Sequence, residues 1–238
     1  MQKTRSSARA PIGDLPDETS ATPPDVRADT GPAPARARGR PRAFDREAAL
    51  AKATCLFWTR GFEATSISDL TEAMGIGSPS LYAAFGSKEG LYAEALRHYR
   101  ETYDELVWGR FMAAPGAREA VRCLLEDSAA ALTGCRGDLP NGCMVTLSAV
   151  GSEGHAALGE LVRSARAGVF ERIKDRLEQG VRQGEIPASA DLHALARFVQ
   201  TVQNGMSILA RDGAARDELQ AVADLALLGW DARLGVAG

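Results

Sequence analysis

Residues 65–88 read TSISDLTEAMGIGSPSLYAAFGSK, and no other stretch of the chain constrains the fold as tightly. Hydroxyl residues open it, and Ile67, Leu70, Ala73 and Met74 recur three or four apart, which marks one face of a short helix. Gly75-Ile76-Gly77 stops that helix. Ser78-Pro79 starts another, because a hydroxyl can cap free amides and proline tolerates the first helical turn. Two short helices across a tight glycine turn make a helix-turn-helix. That device crosses the DNA backbone with one helix and lays the next in the major groove.

The flanking sequence supplies the rest of a helical head. From Asp45 to Arg60, Ala49, Ala53, Leu56 and Phe57 share one side and Gly61 ends the run, with Asp45 as its expected N-cap. Phe57 and Phe62 are expected to close a small core with Ile67, Leu70, Ile76, Leu81 and Phe85. Helical periodicity then continues over residues 88–111, 117–133, 155–183, 190–210 and 216–234, with a Gly/Pro-rich loop at 134–142 and a short apolar stretch at 143–150. The expected fold is all-α, with about nine helices: a three-helix DNA-binding head and a larger helical domain for ligand binding and dimerisation. In the segment 190–210, Leu192, Leu195, Val199, Val202, Met206 and Leu209 form a seam for another helix. Residues 216–234 are apolar nearly all round, so the last two helices are the expected homodimer interface.

The formal net charge of −3 hides an uneven distribution. Arg36, Arg38, Arg40 and Arg42 fall within seven residues that hold no acid, a basic arm suited to phosphates or a narrow minor groove. Residues 1–35 lack large apolar side chains almost completely and are expected to be a disordered tail. The resulting division is tail 1–35, arm 36–43, helix-turn-helix domain 44–90 and effector-binding and dimerisation domain 91–238. No run of uncharged apolar residues is long enough to span a bilayer and no apolar signal core opens the chain, so a cytoplasmic location with no membrane partner is expected.

The head resembles the TetR family of bacterial one-component regulators over roughly residues 40–96. The resemblance rests on GRPR, FWTRGF, TSISDLTEAMGI and SPSLYAAFGSKEGLY in family order and spacing. It implies that Arg40 and Arg42 belong to the DNA-binding arm and that Thr65 and Ser66 meet phosphates. It further implies that Ser78, Pro79, Ser80 and Ala83 face base edges, while Tyr82 and Lys88 reach the backbone. Ala84 stands where many members carry histidine, and Gly77 where a hydroxyl cap is commoner. With small residues at the reading positions, DNA shape is expected to carry part of the specificity.

The implied function is that of a repressor released from a near-palindromic operator when a small molecule binds the larger domain. Large or polar residues on inner helical faces nominate its pocket: Tyr99, Tyr103, Trp108, Met112, Met144, Leu147, Phe170, Phe198 and Asn204, expected to line a mainly apolar cavity. The competing reading is a thiol- or metal-responsive regulator that uses Cys123, Cys135 and Cys143. Sparse cysteines without a CxxC pair favour free buried thiols instead. His98, His155 and His193 are too scattered for a sequence-defined metal site, and no nucleophile elbow or phosphate-cradling loop marks an enzyme. No cofactor is expected.

Overall fold

The computed structural model describes residues 45–134, 139–152 and 154–235, and all the regular structure among them is helical. The expected tail, the arm with Arg40 and Arg42, and Cys135 lie outside the described residues. Three helices form the head: α1 (Arg46–Arg60), α2 (Ile67–Met74) and α3 (Ser78–Phe85). Then come α4 (Lys88–Ala113), α5 (Ala117–Leu132), the single turn α6 (Met144–Leu147), a 3-10 turn at Val150–Ser152, α7 (Ala156–Arg182), α8 (Leu192–Arg211) and α9 (Arg216–Leu234).

Local chemistry sets the head's helix ends. The Asp45 carboxylate accepts from the Glu47 and Ala48 amides to start α1, and Gly61 ends it at φ 82°. Ser66 and Asp69 form a reciprocal capping box on α2, and Gly75 closes that helix in the left-handed region at φ 70°. Ser87 caps α4 through the Gly90 amide. Gly90 is required there, since a Cβ would overlap the Phe85 carbonyl oxygen where α3 meets α4.

Two hydrophobic clusters divide the interior. The first joins Phe57, Phe62, Leu70, Leu81 and Phe85 of the head to Leu91, Tyr92, Ala95 and Leu96 of α4, and continues into Met144, Val145, Leu158 and Val162. Tyr92 sits edge-on to both Phe57 and Phe62, with ring centroids 5.1 and 5.2 Å away. The second holds Trp108 and Phe111 of α4 against α5, the C-terminal half of α7, α8 and α9. Thus α4 runs from one core to the other, and head and larger domain share packing instead of meeting across a linker.

On α9, Leu219, Ala223, Ala226, Leu227 and Trp230 face inward. Leu225 and Leu228 remain 67% and 65% exposed, so one chain does not use all of that helix's apolar circumference. Beside it Phe198 of α8 is exposed and lies near Gly229, where an added Cβ would meet its ring at 3.9 Å.

Candidate functional site

The reading face is built on α3. Leu81 and Phe85 point into the head core, which turns Ser78, Pro79, Ser80, Tyr82 and Ala83 to the exposed side. Gly77 offers no side-chain cap, and the Ser80 and Leu81 amides both return to the Gly77 carbonyl. Pro79 has no amide proton, so the first turn keeps the Ser78 amide and two serine hydroxyls for outside partners. Tyr82 is 48% exposed, and its hydroxyl makes no hydrogen bond among the described residues.

Thr65 corrects the sequence expectation. Its side chain is fully buried, its hydroxyl donates to the Gly61 carbonyl at 2.7 Å, and its amide to Phe62 at 3.3 Å. Thr65 therefore closes the turn between α1 and α2 and has no group left for a phosphate. Ser66 is exposed, but its hydroxyl is engaged with Asp69, whose carboxylate also accepts from Arg60 at 3.0 Å. The Ser66 hydrogen bonds hold the Asp69 carboxyl below its usual range, which keeps an anion at the α2 N-terminus. Lys88 is half-buried with its ammonium 4.2 Å from the Phe62 ring centroid.

Residues 45–90 carry four basic side chains, Arg46, Lys52, Arg60 and Lys88, against six acidic ones. Arg46 is committed to Glu94 at 2.7 Å and to the Phe85 ring, and Arg60 to Asp69. The head therefore carries no net positive charge of its own, and the densest positive charge in the sequence is the run Arg36, Arg38, Arg40 and Arg42.

A cavity of about 180 Å³ opens between α4, α5, α7, α8 and the segment at 143–146. Tyr99, Tyr103, Trp108 and Asn204 line it, as the sequence suggested. Five nominated residues do not. Met112 is 66% exposed and borders a separate shallow depression. Met144 is buried in the head-side core, Leu147 is half-buried just beyond the lining residue Thr146, Phe170 packs against His193 and Arg197, and Phe198 is exposed near α9. The lining surface is mainly apolar, as expected, but Arg100, Asp104, Arg166, Arg172, Gln200 and Gln203 are among its residues. Burial, reinforced by a hydrogen bond to Cys143, pushes the Tyr99 phenol well above its usual range, so it remains protonated.

The head packs against the back of the cavity wall. Trp58, on the last turn of α1, lies edge-on to Tyr99 at 4.8 Å and against Tyr103 at 5.4 Å, and its indole donates to the Gly142 carbonyl at 3.0 Å. From α8, Arg211 donates to the carbonyls of Trp58, Thr59 and Asn141 at 2.8, 3.1 and 2.9 Å. These links were not singled out in the sequence, because the partners of Trp58 and Arg211 lie far along the chain. Cys143 lines the cavity whereas Cys123 sits on α5 against Glu119, so these two thiols do not share a site. Among the described residues no three His, Cys, Asp or Glu side chains form a metal-binding group, and no helix is long and apolar enough to cross a membrane.

Comparison with known proteins agrees with this geometry. Residues 49–95 match the family model described as bacterial regulatory proteins, tetR family. The HTH-type transcriptional repressor ComR of Escherichia coli is 37% identical over 203 residues, covering 82% of this chain and 93% of that protein. BdcR, another HTH-type transcriptional repressor of Escherichia coli, is 33% identical over 203 residues, covering 80% and 91%. Among solved structures, a cysteine-substituted TetR family regulator, CifR, bound to 26-base-pair double-stranded operator DNA, is 41% identical, with a TM-score of 0.76 over 81% of this chain and all of that one.

Proposed function

The chain belongs to the tetR family of bacterial regulatory proteins and is a DNA-binding transcriptional regulator, and from that premise we propose that it is a homodimeric repressor which a small molecule releases from its operator. The observation that carries the DNA reading is the α3 face, where Ser78, Pro79, Ser80, Tyr82 and Ala83 are exposed while Leu81 and Phe85 hold the helix from behind. In this reading those small residues meet base edges, Tyr82 and Lys88 meet phosphates, Ser66 contributes through its exposed helix start, and Arg40 and Arg42 of the arm supply charge. Residues 44–90 carry the DNA contacts, and residues 91–238 carry the effector and dimer contacts.

Dimerisation through α8 and α9 accounts for Leu225, Leu228 and Phe198, which one chain leaves exposed. Two recognition helices set about one turn of DNA apart, roughly 34–36 Å, require a near-palindromic operator. An effector in the cavity acts by favouring a conformation with a different spacing, because a ligand shifts an equilibrium only through its differential affinity. Trp58 is the contact through which a change at Tyr99 and Tyr103 reaches α1. A gel mobility shift with the DNA upstream of the protein's own gene tests the reading: a sequence-selective complex at moderate salt is expected, and binding that random competitor abolishes equally well refutes it.

A further inference from the structure

We infer that the cavity takes a small anion, a carboxylate or a group of similar charge, carried on a single ring or an apolar body of that size. The inference deepens the effector reading and depends on the cavity being the effector site.

Charge decides the ligand class. Three guanidinium groups line the cavity, from Arg100, Arg166 and Arg172, against a single acid, Asp104. Arg172 pairs with Asp104 at 2.8 Å and lies 4.5 Å over the Trp108 ring, so these two charges cancel. The other two have no carboxylate among the described residues. Arg166 donates through Nε to the Val145 carbonyl and through Nη2 to those of Thr146 and Ser148, at 3.1, 2.9 and 2.6 Å. Those three bonds fix the orientation of the guanidinium while its Nη1 makes no hydrogen bond among the described residues. Arg100 stands at the exposed rim and makes neither a hydrogen bond nor an ion pair there. A cationic ligand would meet two uncompensated positive charges and an acid already taken. An anion would supply the missing counter-charge where water is partly excluded and Coulomb attraction is correspondingly stronger.

A neutral group points the same way. The Asn204 side-chain carbonyl accepts from Thr146 at 3.2 Å, which leaves its NH₂ to donate. Tyr103, Trp108 and Val169 supply the apolar wall for the body of the ligand. The volume, about 180 Å³, is of the order of the ~150 Å³ apolar cavity known to take benzene. Binding has a direct structural consequence. An anion drawing on Arg166 competes with the carbonyls of residues 145–148, a segment that begins three residues after the Gly142 carbonyl holding the Trp58 indole.

Matched trios of carboxylate, amide and amidinium on the same ring (benzoate, benzamide and benzamidine, and their one-carbon homologues) test this by calorimetry and by release of operator DNA. At least one carboxylate is expected to bind about tenfold or more tightly than its amide and to lose roughly tenfold in Arg100→Gln, the scale of one charged hydrogen bond. In Val169→Trp, with folding checked by circular dichroism, the filled cavity should abolish binding. Amides or amidinium compounds that bind as well as carboxylates, and are lost in Val169→Trp, overturn the anion and leave the cavity as effector site. Carboxylates that bind Val169→Trp undiminished overturn the cavity reading along with it. Absence of binding by every carboxylate overturns the inference.

Discussion

Replacing Tyr82 by phenylalanine removes one hydroxyl and leaves the ring in place. In the free protein that hydroxyl is exposed and has no partner among the described residues, so the melting temperature should hardly move, as for other surface changes within about 0.5 kcal/mol. In the complex the proposed partner is a phosphate oxygen, and a hydrogen bond to a charged group contributes about 1.5 kcal/mol at the low end of its range. A dimer loses two such bonds, near 3 kcal/mol, which is roughly a hundredfold in Kd. Fluorescence anisotropy with a labelled operator at fixed salt measures this, with thermal unfolding as the control. Because phosphates carry no base identity, affinity for operator and for unrelated DNA should fall together. A Kd within twofold of the parent, at an unchanged melting temperature, would remove Tyr82 from the interface.

Three further substitutions probe other parts of the structure. Thr65→Val, which loses only the bond to Gly61, should cost about 1 kcal/mol of stability and leave operator affinity intact once folded; a selective loss of DNA binding would reinstate Thr65 as a phosphate contact. Leu225→Glu with Leu228→Glu should yield monomers by light scattering and weaken operator binding, and a dimer that persists would place the interface elsewhere. Arg211→Ala leaves three carbonyls without their donor and should lower stability by about 2–4 kcal/mol, read from denaturant unfolding; no change would mean that Arg211 does not secure α1 to α8.

Helix ends were the part of the fold most legible in the sequence, because their chemistry is local. Asp45, Gly61, Gly75 and Gly77 mark helix limits from residue type alone, and the six longer helices begin and end within two residues of the periodic segments. The α3 face was legible for the same reason: one buried stripe of Leu81 and Phe85 defines its opposite side. Thr65 misled because two hydroxyl residues stand together before α2. Ser66 takes the cap, and Thr65 turns back to Gly61.

The cavity was legible only in part, since size and apolarity do not separate a wall from a core. Phe170 and Met144 satisfy both descriptions and prove to be core. Arg100, Asp104, Arg166 and Arg172 were not nominated, and only the approach of α4 to α7 brings them to one cavity. Trp58 depends on a longer-range coincidence, because its indole partner lies 84 residues away at Gly142.

Selection of bound duplexes from a random DNA pool at moderate salt, followed by footprinting of the enriched sequence, tests the central claim most directly. The expected result is a near-palindrome protected as two half-sites whose centres lie about 10 base pairs apart, with the chains bound in pairs. Enrichment of no sequence over the starting pool, or protection of one unpaired half-site by a single chain, would contradict it.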